Sequence, residues 1–340
     1  MSDLRVGVVG CGPVGALHAA AVRGTTFARL AGLCDVHPGR ARELARRLGA
    51  DIPCHGTVEE LLAREPVDVI TVATPDHLHV DVVLAAVAAG RHVFCEKPLA
   101  TTLSDARRMV QAARERGVLL GVDYNRRFGF GYRIARQLCD EGRLGTVRSV
   151  LIQVVDRTPP PEVALTPEVI LTTLLTHHLD LARWFGGEVS RLAVSAGRQE
   201  PSGTQLWREV LLTLEYEDGA IGSIAAGYRD GQSRTWERAL IIGSRGTVEV
   251  DDVTRSATFW ASDPDRREVF EPSPFSDSGT FTATIGRHLT CFLECIRTGE
   301  PIPVAGEDAL RGLELVEAAR RSGQTGGAMM VPHRLRTNLD

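Results

Sequence analysis

Leu4-Arg5-Val6-Gly7-Val8-Val9-Gly10-Cys11-Gly12-Pro13-Val14-Gly15 is the stretch whose reading decides the fold. The run from Leu4 to Gly10 is short, apolar and β-branched, the pattern of a strand buried on both faces. Glycines then fall at 10, 12 and 15, with Pro13 placed to open a helix. Gly10 permits a tight turn, Gly12 lets backbone come close to a ligand, and Gly15 lets helix and sheet pack closely. A helix that begins here presents free N–H groups and a partial positive charge, a natural seat for phosphate.

Outward from that turn, short strand-like runs alternate with amphipathic stretches. The runs are Leu4–Gly10, Ala28–Cys34, Asp68–Ala73, Arg91–Cys95 and Val118–Val122. Helical patterns lie near Pro13–Arg23, Arg40–Leu48, Val58–Ala63, Leu78–Ala89 and Ser104–Arg116, the fourth of them announced by Thr74 as a cap before Pro75. This alternation predicts an α/β Rossmann domain over 1–123, a doubly wound parallel sheet. Asp35 stands twenty residues beyond Gly15 at the end of the second run. A carboxylate there accepts hydrogen bonds from an adenosine ribose and repels a 2′-phosphate, so NAD is expected rather than NADP. Arg40, close by in sequence, is a further group at that end of the cofactor.

Past residue 123 the pattern changes. Helices are expected near Gly131–Glu141 and up to Phe185, with a strand from Thr146 to Asp156 between them. From Val189 to Phe270 strands are broken by Glu217-Asp218-Gly219, Arg229-Asp230-Gly231 and Gly243-Ser244-Arg245-Gly246. Two helices follow, near Thr282–Thr298 and Glu307–Ser322. Residues 124–340 are therefore expected to form an α+β domain with a mainly antiparallel sheet, serving substrate binding and oligomerisation.

Bulk properties exclude several function classes. The 340 residues are 43% hydrophobic and 24% charged, with a net charge of −4, and residues 1–123 carry 14 basic and 14 acidic side chains. No basic stripe is present to neutralise a nucleic acid, and no apolar run approaches the roughly 20 residues of a membrane span. The first apolar run is too short for a signal-peptide core, and the cytoplasm is the expected compartment. The seven cysteines show no zinc-knuckle spacing and read as reduced thiols, with no metal site expected.

One compositional feature points to chemistry. Of the 39 basic residues, 38 are Arg and one, Lys97, is Lys. On a surface the exchange is nearly harmless, but a guanidinium stays charged where burial can tune an ammonium toward neutrality. Lys97 lies in Cys95-Glu96-Lys97-Pro98, at the carboxyl end of an expected parallel strand, where open α/β sheets bind ligands. The same reasoning places Ala73-Thr74-Pro75, with His77 and His79, at the end of the strand before it.

The glycine turn, Ala73-Thr74-Pro75 with His79, Glu96-Lys97-Pro98 and Tyr124-Asn125-Arg126-Arg127-Phe128 occur in that order. Together they resemble the glucose–fructose oxidoreductase, inositol dehydrogenase and rhizopine-catabolism (Gfo/Idh/MocA) family. The likeness extends to Gly306-Glu307-Asp308-Ala309, and around Asp156 to Pro161 it is greatest to inositol dehydrogenase-like members. It implies a homodimer or homotetramer that uses nicotinamide to oxidise a secondary alcohol of a sugar or cyclitol. Cofactor contacts would come from Gly10, Gly12, Pro13, Val14, Gly15, Asp35, Arg40, Ala73, Thr74, Pro75, His79, Glu96 and Lys97. The lysine would hold the reacting hydroxyl while a histidine, matched here by His177 in His177-His178-Leu179-Asp180, exchanges its proton. Imidazole titrates near neutral pH unaided, and an ammonium stabilises a developing alkoxide, so the chemistry is coherent. Tyr124, Asn125, Arg126, Asp156, His178 and Trp236 are candidate substrate contacts. Simpler roles stand beside these: His178 as a structural residue, Trp236 as a core or interface aromatic, Arg126 and Arg127 as a domain seal, and Asp180 as a partner for a neighbouring base.

The sequence departs from the family where Thr173 replaces an Asp four residues before the histidine. Glu168 and Val169 replace its paired glycines. A hydroxyl can orient an imidazole but cannot stabilise its cation by charge. A cationic substrate such as an amino sugar or aminocyclitol would accommodate the change, with Asp156, Glu162 and Glu168 as acidic partners. Two alternatives remain open: a redox-neutral epimerase or eliminase that retains NAD, and a catalytically silent dinucleotide-binding protein.

Overall fold

The opening run forms strand β1 (Leu4–Val9), with Val6 through Val9 buried, and the glycine turn passes directly into helix α1 (Pro13–Gly24). A computed structural model describes residues 3–49, 51–160, 163–198, 207–231, 235–261, 265–276 and 279–331. The chain then alternates as the sequence predicts: β2 (Ala28–Cys34), α2 (Pro38–Leu48), β3 (Cys54–His55), α3 (Val58–Arg64), β4 (Val69–Val72), α4 (His79–Ala88), β5 (His92–Cys95), α5 (Leu103–Arg116) and β6 (Leu120–Val122). All six strands pair in parallel, in the order β3-β2-β1-β4-β5-β6. The order reverses between β1 and β4, the crevice in which such sheets bind ligands.

Local signals account for most helix limits. Thr57 and Thr102 accept hydrogen bonds from the Glu60 and Asp105 amides to start α3 and α5, and left-handed Gly49 and Gly117 end α2 and α5. Thr74 is not the cap of α4 that the sequence suggests. A 3-10 turn, Asp76–Leu78, intervenes, and the Thr74 hydroxyl makes no hydrogen bond among the described residues. Strand β3 escapes sequence reading because only two residues pair.

A second sheet follows. Helix α6 (Phe130–Asp140) leads to β7 (Val147–Arg157), then to α7 (Pro167–Val169), a π-helical stretch from Ile170 to Leu175, and α8 (Thr176–Gly186). Strands β8 (Val189–Arg198), β9 (Trp207–Tyr216), β10 (Ile221–Arg229), β11 (Trp236–Gly243), β12 (Gly246–Asp251), β13 (Ser256–Ala261) and β14 (Arg267–Phe270) come next, followed by α9 (Phe281–Thr298), α10 (Gly306–Thr325) and β15 (Met329–Met330). The nine-stranded order is β14-β13-β12-β11-β7-β10-β9-β8-β15, antiparallel throughout except where β10 pairs with β7 in parallel. Along β9, burial alternates from Val210 to Tyr216, the signature of a sheet with one face covered. The covered face shares a core with α6 and α8 through Tyr132, Leu138, Leu179 and Phe185.

The two compact units of the chain do not divide it at residue 123. One comprises residues 1–128 and 280–311, the other residues 129–279 and 312–340. The sequence reading gave α9 to the second domain, but its Leu289, Phe292 and Leu293 share a core with Val6, Val22 and Phe94. Gly121 on β6 makes room, since a Cβ there would stand 2.8 Å from the Phe292 ring. An amphipathic pattern says that a helix has an apolar face, not which sheet that face covers. Among the described residues, no helix is long and apolar enough to cross a membrane.

Candidate functional site

The glycine turn adopts the backbone its sequence requires. Gly10 has a φ of +93°, and a Cβ there would strike the Ala73 carbonyl group. A Cβ on Gly15 would fall on the Gly10 carbonyl oxygen. Gly12 is different. Its φ of −74° and ψ of −169° suit any residue, and its Cβ would meet no atom of the described residues within 4 Å, its chain neighbours apart. Gly12 is also the N-cap of α1, and no side chain caps that helix. The first-turn N–H groups and the positive end of the dipole are thus left for an anion.

A cavity of about 680 Å³ adjoins this turn at the carboxyl ends of β1, β2 and β4, lined among others by Gly12, Asp35, Arg40, Thr74, Pro75 and His77. The Cys11 amide donates to Asp35 Oδ2 at 2.9 Å and the His37 amide to Oδ1 at 2.8 Å. Two backbone donors therefore fix the carboxylate, each oxygen keeping a lone pair for a further bond. The Thr74 hydroxyl, buried at the wall, has no partner among the described residues. Clear volume over Gly12, an uncapped helix and an orphaned hydroxyl fit a bound dinucleotide. His79, fully buried, places Nδ1 2.9 Å from the Pro98 carbonyl and Nε2 3.0 Å from the Thr74 carbonyl. Its ring thus ties the turn after β4 to the turn after β5.

Lys97 follows β5 and is partly buried, next to a cis Lys97–Pro98 peptide. Burial lowers the ammonium pKa below the ordinary lysine value; Glu96 works against that and Arg126 adds to it, with Asp76 and Asp123 on the raising side. Tyr124, Asn125 and Arg126 are all buried in the first unit. The Asn125 amide donates to Thr284 on α9 at 3.0 Å, and the Arg126 guanidinium lies 5.8 Å from the centre of the Phe281 ring. Arg127 donates to the Pro303 carbonyl at 3.0 Å. Asn125 and Arg127 therefore anchor residues 280–311 within the first unit.

In the second unit, His177 lies at the start of α8, 5% exposed, with His178 and Asp180 buried beside it. His178 was both a structural and a substrate candidate, and its geometry is structural. Nδ1 lies 2.8 Å from the Leu174 carbonyl and Nε2 2.9 Å from Glu237 Oε2, while the Tyr132 hydroxyl donates to the other oxygen of Glu237. Both imidazole nitrogens are spent inside the core. Thr173 sits in the π-helical stretch, where the α-helical spacing rule used for it loosens. Its hydroxyl donates to the Val169 carbonyl and so accepts from the Tyr228 hydroxyl at 3.1 Å. Tyr228, which sequence reading missed, lies in β10 directly opposite Asp156 in β7. Only the parallel pairing of two strands distant in sequence brings them together.

Asp156 and Trp236 cannot both serve one substrate site. Trp236 pairs with Val155, and its neighbour Glu237 points into the core toward His178, so Trp236 and Asp156 project from opposite faces of the sheet. Trp236 instead lines a groove with Gln153, Ser195 and Leu211. Asp156 accepts from Thr235 at 2.7 Å. Glu168 is exposed, and Glu162 lies outside the described residues.

Comparison with known proteins accords with this architecture. Residues 4–124 match the model described as "Oxidoreductase family, NAD-binding Rossmann fold", and residues 132–249 match the "GFO/IDH/MocA C-terminal domain". The chain is 33% identical over 327 residues to the inositol 2-dehydrogenase of Burkholderia cenocepacia, covering 95% of each protein. It is 27% identical over 328 residues to the myo-inositol 2-dehydrogenase of Thermotoga maritima, covering 94% of this chain and 96% of that one. A levoglucosan dehydrogenase solved with NADH superposes with a TM-score of 0.86 over 98% of this chain and all of that one; at 23% identity the likeness is one of fold. With both of its sheets, its glycine turn and most of its length accounted for by one set of relatives, the chain belongs to the GFO/IDH/MocA family of oxidoreductases, with an NAD-binding Rossmann fold.

Proposed function

We propose that this protein is an NAD-dependent dehydrogenase, or ketoreductase in the reverse direction, acting on a secondary hydroxyl of a sugar, cyclitol or amino sugar. The observation that carries the reading is Lys97. The chain's single lysine stands at the carboxyl end of β5, and its burial weakens its hold on a proton. Gly12 and the α1 N-terminus would hold the pyrophosphate and Asp35 the adenosine ribose, with the Thr74 hydroxyl offering one more polar contact. NAD, when bound, supplies the hydride acceptor. Lys97 would hold the substrate oxygen and favour its negative charge, and His177 would take the hydroxyl proton. The fixed Asp35 carboxylate supports NAD over NADP, because a 2′-phosphate would meet it as a like charge.

The inositol 2-dehydrogenases among the relatives support a polyol as substrate. Thr173 in place of the family's Asp supports a member whose specificity has moved, and an amino group on the substrate is the simplest such change. The test is nicotinamide absorbance across inositols, sugars and amino sugars, with NAD and NADP side by side. Reduction of NAD by at least one of these classes is expected, abolished in Lys97→Ala. Product formed with no net absorbance change would establish the redox-neutral alternative, and full turnover by Lys97→Ala with NAD bound would overturn the proposal.

A further inference from the structure

Three side chains able to ligate a metal converge from separate stretches of the first unit, and the proposed reaction uses none of them. His18 lies on α1, Glu96 just past β5 and Asp123 just past β6. One donor atom of each falls within 4.8 Å of the other two, and no other His, Cys, Asp or Glu trio among the described residues comes together in this way. His18 Nε2 stands 3.1 Å from Glu96 Oε1. His18 and Asp123 are buried, and the Glu96 side chain is 15% exposed. With 78 residues between His18 and Glu96, no motif spacing announces the cluster. Only the fold of the parallel sheet against α1 assembles it.

Asp123 is the telling member. Its Oδ1 lies 2.7 Å from His288 Nδ1 on α9, while its Oδ2 is buried without a partner among the described residues. A polar oxygen withdrawn from water and left without a donor is costly, and a second carboxylate close by adds to the cost. We propose that His18, Glu96 and Asp123 bind one divalent cation of the zinc class, which ties α1 to the turns that follow β5 and β6. One imidazole nitrogen and two carboxylate oxygens are a donor set that zinc accepts, with water completing the four positions. Calcium takes six to eight oxygens and magnesium retains several waters, and a buried cluster of three donors suits neither. The two carboxylates balance the charge of the ion.

The geometry and the surroundings agree. Two donors on one tetrahedral zinc stand about 3.3 Å apart, close to the separation of His18 Nε2 from Glu96 Oε1. Since no donor separation exceeds 4.8 Å, the others need to close by at most about 1.5 Å. His288 holds the Asp123 carboxylate by one oxygen and leaves the other free, as outer partners of metal-bound carboxylates do. Phe94 meets the His18 and His288 rings edge-on, and Phe128 stacks on His288 at 4.2 Å. With Nε2 as the ligand, His18 Nδ1 carries the ring proton; it has no hydrogen-bond partner among the described residues, so the Phe94 contact sets the ring's orientation.

The test uses zinc alone, added to the full chain after stripping with a chelator, with no coenzyme or substrate present. Calorimetry should give one site of micromolar affinity or tighter. X-ray absorption at the zinc edge should show a shell of nitrogen and oxygen with a single imidazole and no sulfur, which separates this cluster from the seven cysteines. Asp123→Asn and His18→Ala should each weaken zinc by at least about 100-fold, and His288→Gln, which touches only the outer partner, by about 10- to 100-fold. The absorption spectrum of the unaltered protein needs no variant to fold, so it tests the site even where a substitution destabilises the unit. Absence of binding, sulfur or two imidazoles in the shell, affinity for magnesium but not for zinc, or full affinity in a folded Asp123→Asn protein would each overturn the proposal. None of these results depends on turnover, so failure of the oxidoreductase reading would appear separately, in the Lys97→Ala assay.

Discussion

Gly12→Ala separates what the glycine turn does for the fold from what it does for a ligand. The added methyl has no neighbour within 4 Å among the described residues, its chain neighbours apart, and the backbone angles at Gly12 are ordinary for alanine. Two small effects on stability oppose each other. Alanine is a poorer N-cap than glycine by a few tenths of a kcal/mol to about 1 kcal/mol. Restricting the unfolded chain returns about 0.4–1 kcal/mol. The net should lie within about 0.5 kcal/mol, a melting shift of roughly 2 °C or less. Binding should respond differently, because the methyl occupies the space the pyrophosphate must enter. Losing one charge-assisted hydrogen bond costs about 1.5–3 kcal/mol, or roughly 10- to 150-fold in Kd. NADH titration by fluorescence and thermal melting of the free protein measure the two halves independently. The control is Gly15→Ala, whose methyl would coincide with the Gly10 carbonyl oxygen; it should destabilise by at least about 1–3 kcal/mol, as overpacking against backbone does. Unchanged NADH affinity in Gly12→Ala, or a melting loss as large as that of Gly15→Ala, would refute the reasoning.

Other predictions address single side chains. Lys97→Arg preserves charge but not the ability to lose a proton; the alkaline limb of the kcat/KM profile, which burial places below the ordinary lysine pKa in the parent, should leave the accessible range, with activity reduced at all pH values. Activity carried by the ammonium form falls as pH rises through that lowered pKa, so an alkaline limb at or above the ordinary lysine value would contradict the assignment. Asp35→Ala should weaken NADH about 10-fold or more, through loss of a charged hydrogen bond, and should narrow the preference over NADPH; competitive titration of both cofactors reads the ratio. Glu237→Gln, in the core of the second unit, should lower stability by about 3 kcal/mol or more by disturbing a buried His178–Glu237–Tyr132 cluster, leaving NADH affinity unchanged, as calorimetry would show. Thr173→Asp, beside Tyr228, should speed oxidation of a neutral cyclitol if the site is a weakened form of the family's, and slow it if the site has been rebuilt for another substrate.

The first unit was legible because its information is local. A strand, a turn with glycines at 10, 12 and 15, and a helix follow one another in a dozen residues, and each successive run repeats the pattern. The second unit was legible in its elements but not in its partners. Tyr228 reaches Thr173 because β10 pairs in parallel with β7, a pairing of strands more than sixty residues apart that no turn signal announces. Glu237 reads in sequence as one more charged strand residue; its burial against His178 depends on which face of β11 meets α8. The π-helical stretch before His177 is likewise silent, because Ile170 to Leu175 has no proline or glycine to mark a change of pitch. Helix α9 was recognised as a helix and assigned to the wrong unit, since its apolar stripe would suit either core.

A single imidazole links two turns. With one nitrogen of His79 against the Thr74 carbonyl and the other against the Pro98 carbonyl, the wall of the nucleotide cavity and the bend carrying the lysine are riveted together. On the proposed function, a guest that moved the Thr74 loop would pull, through that one ring, on the backbone that carries Lys97, and arrival of the coenzyme would also aim the amine.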